Sequence, residues 1–449
     1  MLRALYNLLW LLALPIALLR LVWRARKEPG YVQHIGERLG AYGKLPSAGP
    51  WLWVHAVSVG ETRAAQPLID ALLAHYPAHR ILLTHMTPTG RQTGAQLYGA
   101  EPRLMQSYLP YDLPWLVQRF LRYFRPTAGM LMETEVWPNL VRGARVAGVP
   151  LLLVNARLSP RSFRRTARFG QAATAMYRDF TAVLAQTQGD AERFRALGLP
   201  AVQVTGNLKF DMQPSEDGLR RGRVLRQGFG ARAVFAATST REGEESLLLE
   251  AFARWQALSA GVPGAVPRPA LLLVPRHPQR FDEVAALVTR AGFTVQRRSA
   301  LGDSAGWEQP GLPEPVTADV LLGDSMGEMA MYFAASDIAF IGGSLLPLGG
   351  QNLIEACAAG TPVLIGPHTF NFAQATEDAI AAGACLRVDD ADSVMSSAGT
   401  LLADPVRLAS MQEQALAFAS LHRGATARTL AALHTLPGGA GRTGAAHRL

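Results

Sequence analysis

The chain has 449 residues, 49% hydrophobic and 18% charged. It is too long for one ordinary core, and its composition excludes a disordered chain or a coiled coil. Two cysteines, Cys357 and Cys385, exclude a disulfide-dense secreted scaffold and a cysteine-based zinc module. A net charge of +9 suits anionic partners, yet no Cys/His finger, RNP-like aromatic motif or long Lys/Arg run points to nucleic acid.

The first element is an uncharged run from Ala4 to Leu19, with Arg3 before it and Arg20, Arg24, Arg26 and Lys27 after it. This pattern predicts a short hydrophobic helix interrupted by Pro15, with Trp10 and Trp23 at the interfaces. The cationic excess on its C-terminal side keeps the rest of the chain cytoplasmic. A cleavable signal peptide fits less well, because the charge flank is on the wrong side and no A-x-A site closes the run. Spanning the bilayer and lying in its interface both remain open.

Short apolar runs then alternate with amphipathic segments. Strands are expected at Trp51–Val57, Ile81–Thr84, Met130–Glu133, Leu151–Asn155, Ala182–Gln186 and Val202–Thr205. The polar stretch Met212–Asp217, with Pro214, reads as a linker. The alternation restarts at Ala233–Ala237, Ala270–Val274, Thr294–Arg297, Val320–Leu322, Ile338–Ile341, Pro362–Ile365 and Ala384–Val388. Two doubly wound α/β domains facing a cleft follow, with ligands at the C-terminal ends of the strands. Gly261–Pro269 is expected to be an exposed loop and Leu436–Leu449 a frayed tail.

The chemistry-bearing motifs fall at the predicted strand ends. His55-Ala56-Val57-Ser58-Val59-Gly60-Glu61 places a carboxylate at a helix start, either as a general base or as an ordinary first-turn acid. The helix dipole there tends to lower its pKa. Met132-Glu133-Thr134-Glu135 puts two acids on one face if the strand continues; as an alternative they are capping acids. Arg157, Arg161, Arg164 and Arg165 suit carboxylate or phosphate groups, or form a solvated basic face. In Gly206-Asn207-Leu208-Lys209-Phe210-Asp211, Lys209 either holds an anionic group or pairs with Asp211.

In the second half, Thr238-Ser239-Thr240, Pro275-Arg276-His277-Pro278 and Gly323-Asp324-Ser325-Met326-Gly327-Glu328 each end a strand. Gly342-Gly343-Ser344 and Gly349-Gly350-Gln351-Asn352-Leu353-Ile354-Glu355 form a glycine-rich loop entering a helix. Its amides can cradle a phosphate, and Glu355 can reach ribose hydroxyls; each loop taken singly also reads as a tight turn. There is no Walker A motif, no G-x-G-x-x-G and no metal-ligand constellation. Asp389, Asp390 and Asp392 read as an acidic surface turn.

Taken together the motifs resemble those of the 3-deoxy-D-manno-octulosonic acid (Kdo) transferases. The resemblance rests on HAVSVGE at 55–61, TPTG at 87–90, LPYDLP at 109–114, METEVWPN at 132–139, NARLSPRS at 155–162 and GNLKFD at 206–211. It continues through PRHPQR at 275–280, GDSMGEM at 323–329, GGSLLPLGGQNLIEA at 342–356 and GPHTFNF at 366–372. The resemblance implies a GT-B fold of two Rossmann-like domains with an N-terminal membrane-anchoring helix. The boundaries are an anchor at 1–27, an acceptor domain at 28–211, a linker at 212–217, a nucleotide-sugar domain at 218–425 and a flexible tail at 426–449. It also implies CMP-Kdo as donor, lipid IVA as acceptor and the cytoplasmic face of the inner membrane as location. No cofactor, metal or nucleic acid is implied.

By the same resemblance, Glu61 is the general base of an inverting, metal-independent transfer, and Glu133 and Lys209 stabilise its transition state. CMP contacts fall on Pro275 and Arg276, on Met326, Gly327 and Glu328, and on Asn352, Leu353, Ile354 and Glu355. Arg241 and Gln351 depart from the family pattern, since each stands where a His is common. The rival readings are another GT-B transferase using a different nucleotide sugar and a non-catalytic membrane-anchored nucleotide-binding protein.

Overall fold

The computed structural model describes every residue except 1, 27, 44–48, 169, 200, 260–267, 303–306, 308–313 and 437–449. Most of the expected 261–269 loop, and the tail beyond 436, therefore lie outside the described residues. Contacts divide the chain into two compact units, residues 1–212 with 423–449, and residues 213–422.

The first unit is built on seven strands: Trp51–His55 (β1), Arg80–His85 (β2), Leu104–Tyr108 (β3), Pro126–Met132 (β4), Leu151–Ala156 (β5), Ala182–Ala185 (β6) and Val202–Val204 (β7). They run in the order β3-β2-β1-β4-β5-β6-β7, all parallel. The pleat explains why the strands are apolar throughout. On β1, Leu52 and Val54 pack with Leu68, Ile69 and Leu72 of the helix Val59–His75. Trp51 and Trp53 pack on the opposite face with Val117, Phe120 and Phe124 of the helix Pro114–Phe124. Each such side chain contributes about 1.5–3 kcal/mol by leaving water.

Two expectations need correction here. Strand β3 was not anticipated, because Gln106 and Ser107 break its apolar run; it forms at the sheet edge by pairing with β2. The segment assigned to a flexible tail begins instead with the helix Ala425–His434. Its Leu430 and Leu433 are buried against the same face as Leu72 and Tyr76. Asp211 caps it, accepting from the backbone N–H of Gly424 at 2.6 Å and from that of Thr426.

The N-terminal helix runs Leu2–Ala25, longer than expected, and is long and apolar enough to cross a membrane. One face packs on the first unit: Trp10, Leu14, Ala17, Leu18 and Leu21 lie against Tyr111, Leu113 and Leu116. The same face carries polar ties. Tyr6 donates to Asp112 at 2.8 Å, and the Asn139 amide donates to Asn7 at 2.7 Å. Asp112 is itself buried and accepts from the backbone N–H of Asn139 and Leu140 at 3.0 and 2.8 Å. The opposite face exposes Leu5, Leu8, Leu9, Leu12, Ile16, Leu19 and Trp23.

The second unit repeats the plan with Val234–Thr240 (β8), Ala270–Pro275 (β9), Val295–Arg297 (β10), Val320–Leu322 (β11), Ile338–Ile341 (β12), Val363–Ile365 (β13) and Cys385–Arg387 (β14). The order is β10-β11-β9-β8-β12-β13-β14, again all parallel. Leu248, Leu249 and Phe252 of the helix Glu244–Ser259 pack under Phe235 and Ala237 of β8. In the second sheet β10 lies outside β11 at the edge; in both, the strand order turns from falling to rising at the centre, between β1 and β4 and between β8 and β12. A doubly wound sheet opens a crevice at the C-terminal ends of such a pair.

Candidate active site

Both switch points carry the sequence motifs. In the first unit, β1 ends at His55 and the following helix starts at Val59, so Glu61 lies in its first turn. Its carboxylate folds back over that turn: Oε2 accepts from the Val57 N–H at 2.9 Å and Oε1 from the Ser58 hydroxyl at 3.4 Å. Burial pushes the Glu61 carboxyl up to about 8. The Val57 N–H and the Lys209 cation oppose that rise, whereas Glu133 and Glu135 add to it. The helix dipole was expected to lower this group. Desolvation and two neighbouring acids outweigh it.

Glu133 does not continue β4. The strand stops at Met132, and Glu133 adopts the left-handed region at φ 55°. Its expected alignment with Glu135 on one strand face is thereby broken. Glu133 instead receives the Lys209 ammonium at 3.1 Å, with both side chains 18% exposed. Glu135 turns to the Trp137 indole N–H at 2.8 Å, and burial raises its carboxyl.

Lys209 sits in a 3-10 turn, Leu208–Asp211, anchored by buried Leu208 and Phe210. The Asn207 side chain accepts from the Lys209 N–H at 3.0 Å. Asn155, at the end of β5, accepts from the Leu208 N–H at 3.0 Å. Asp211 is not the partner of Lys209, because it is committed to the Gly424 end of the last described helix. Thus Glu61, Glu133 and Lys209, 148 positions apart from first to last in the sequence, form one electrostatic group.

Asn155 heads the NARLSPRS motif, but nothing in the sequence assigns it a part in holding the Lys209 turn. It is fully buried and left-handed at φ 54°, a conformation that asparagine tolerates better than most residues. The signal was an Asn closing an apolar strand. His55, the first residue of its motif, is structural: it is fully buried, Nδ1 lies 2.9 Å from Thr84 Oγ1, and burial drives its imidazole down to about 3.

Beside Glu133 lies a cavity of about 460 Å³ whose lining includes Arg157, Ser159, Arg165, Met176 and Tyr177. Of the four arginines noted in the sequence, Arg157 and Arg165 reach it. Arg161 and Arg164 stand exposed on the helix Pro160–Arg168, none of whose residues is buried.

In the second unit the expected nucleotide contacts share the C-terminal edge of the sheet. Pro275 closes β9 in the core, and the Arg276 N–H donates to Thr240 O at 3.0 Å. Met326 is exposed, Gly327 is left-handed at φ 81°, and Glu328 is turned onto Arg298 at 2.8 Å and Arg221 at 3.4 Å. Asn352 donates to Glu355 at 2.8 Å. Leu353 and Ile354 are fully buried, so only their backbone can meet a ligand. Glu355 stands in the first turn of the helix Ile354–Ala358.

Glu244 stands out in the sequence only as one of several acids, with Glu242 and Glu245, at a helix start. This fully buried carboxylate accepts from the N–H groups of Arg241 at 2.9 Å, Gly343 at 2.6 Å and Leu345 at 3.0 Å. The Gly342-Gly343-Ser344 loop was expected to offer its amides to a phosphate; the Gly343 amide faces Glu244.

The family model described as 3-deoxy-D-manno-octulosonic-acid transferase (kdotransferase) matches residues 33–212. The chain is 49% identical over 440 residues to the 3-deoxy-D-manno-octulosonic acid transferase of Bordetella pertussis, covering 96% of this chain and 97% of that protein. It is 37% identical over 374 residues to the Haemophilus influenzae protein of the same name, covering 82% and 83%. Among solved structures, a UDP-GlcNAc 2-epimerase from Neisseria meningitidis matches with a TM-score of 0.56 at 15% identity, over 86% of this chain and 100% of that one, a likeness of fold alone. The chain therefore belongs to the 3-deoxy-D-manno-octulosonic acid transferases, glycosyltransferases built on two Rossmann-like units in the GT-B manner.

Proposed function

We propose that the chain transfers Kdo from CMP-Kdo to lipid IVA with Glu61 as general base. An acceptor hydroxyl attacks the anomeric carbon of Kdo and gives its proton to the Glu61 carboxylate. The bond from that carbon to the CMP phosphate breaks, CMP leaves with the electron pair, and the centre inverts. The observation that carries this reading is a carboxyl held up to about 8 at the β1/β4 switch point, beside the Glu133–Lys209 pair. A group of that basicity accepts a proton more readily than an ordinary carboxylate does. Lys209, kept in place by Glu133, is suited to charge that develops as the donor breaks. Residues 28–211 would take the acceptor and residues 218–425 the donor. The cavity lined by Arg157 and Arg165 suits a phosphorylated sugar head.

The N-terminal helix would lie in the interface on the cytoplasmic face of the inner membrane, not across the bilayer. Its Tyr6 and Asn7 face is tied to Asp112 and Asn139, and its leucine face is left for lipid. Arg20, Arg24 and Arg26 suit anionic headgroups.

The test is a transfer assay with CMP-Kdo and lipid IVA, read by product mass. Wild type is expected to add Kdo. Glu61→Gln is expected to lose about 10²–10⁴-fold in turnover while still binding CMP. Near-normal turnover by Glu61→Gln removes Glu61 as the base. No wild-type product with CMP still bound moves the acceptor elsewhere.

A further inference from the structure

The β8/β12 switch point carries a cation, Arg241, that no role above has used. Arg241 directly follows β8, and Gly343 lies just past the end of β12. At Gly343, left-handed at φ 71°, an added Cβ would meet Gln351 Nε2 at 3.2 Å and Arg241 Cγ at 3.6 Å. Arg241 and Gln351, 110 positions apart, thus converge on one glycine. The Gly343 and Leu345 amides are committed to Glu244, so they do not face an incoming anion. A cationic side chain must supply what these amides do not.

Partial desolvation, and after it the charges of Arg241, Arg276 and Arg280, hold the His277 imidazole below the ordinary range. Arg280 is committed to buried Glu245 at 2.7 Å and to Glu283 at 3.0 Å. Arg241 is half-buried and makes no ion pair with any described acid. The fork geometry of a guanidinium matches a phosphate.

We propose that Arg241 holds the phosphate of the nucleotide donor, with Gln351 packed beside it on Gly343. This assignment rests on the nucleotide-sugar reading above. It extends that reading to a side chain outside the Pro275–Arg276, Met326–Glu328 and Asn352–Glu355 contacts.

The experiment measures binding of CMP against cytidine, and of UMP against uridine, by calorimetry on the full chain. The variants are Arg241→Gln, Arg241→Lys and, as control, Arg254→Gln, whose guanidinium pairs with Asp392 at the surface. Arg241→Gln is expected to weaken CMP by roughly 10–100-fold and to leave cytidine unchanged, the range for a hydrogen bond to a charged group. Arg241→Lys recovers part of the loss, and Arg254→Gln matches wild type. An unchanged CMP-to-cytidine ratio in Arg241→Gln overturns the inference. So does an equal loss for both ligands, which marks a merely structural role. If wild type prefers UMP, the CMP reading fails alone, and the UMP-to-uridine ratio decides on Arg241. Wild type that binds neither nucleotide overturns both.

Discussion

At the switch point of the first sheet, the chain after β1 and β4 presents charged side chains: Glu61 over its own turn, and Glu133 against Lys209. At that of the second, the loops after β8 and β12 are drawn together by a carboxylate that never reaches the surface. Glu244 takes three backbone N–H groups, and Gly342 lies so close to β8 that a Cβ would meet Ser239 O at 2.6 Å. The same topology therefore serves two purposes. One edge concentrates titratable groups, a raised carboxyl beside a paired Glu and Lys, which suits proton transfer. The other fixes backbone shape, which suits recognition of a nucleotide.

This contrast can be broken at either edge. Lys209→Met leaves Glu133 partly buried without its cation. The expected result is a fall in turnover of about 10²–10³-fold at saturating donor, the scale for removing one transition-state donor. Donor affinity should hold, and steady-state kinetics with varied CMP-Kdo reads both. A change confined to donor KM would assign Lys209 to the wrong side of the comparison. Glu244→Gln places an amide where the N–H groups of Arg241, Gly343 and Leu345 need an acceptor. A loss of about 1–3 kcal/mol in stability is expected, with weaker CMP binding. Thermal melts with and without CMP check it; an unaltered Tm would show that Glu244 does not hold the loop.

The smallest effect is on acid stability. Burial drives the imidazoles of His55 and His85 down to about 3 and about 4. Their folded pKa values lie below the unfolded value of about 6.5, so the folded state is favoured while both stay neutral. That contribution is complete above about pH 6.5 and is lost as the pH falls towards the folded values. Melts between pH 7 and pH 5 should show His55→Gln less acid-sensitive than wild type.

The strands and their ends were legible because both sheets are buried on two faces, so each strand is a short apolar run closed by a turn. Strand β3 was not, since Gln106 and Ser107 hide it and only pairing with β2 creates it. The helix Ala425–His434 read as tail because its cap, Asp211, lies 213 residues from Gly424. The site shows the same division. Glu61, Glu133 and Lys209 stood in visible motifs, but the pairing of Glu133 with Lys209 depends on a left-handed turn after β4 and on Asn155 holding the Leu208 N–H. The raised carboxyl of Glu61 also contradicts the local helix-dipole argument, since burial and neighbouring charge are products of the fold.

The central claim is that Glu61 is the proton acceptor and titrates far above an ordinary carboxyl. The most direct test is the pH dependence of kcat/KM for Kdo transfer, for wild type and Glu61→Gln, between pH 5 and pH 10. Wild-type activity should climb with pH through an inflection near 8, the position to which burial brings Glu61. Glu61→Gln should be slow and lack that inflection. An inflection that persists in Glu61→Gln, or a rate near wild type, would contradict the account.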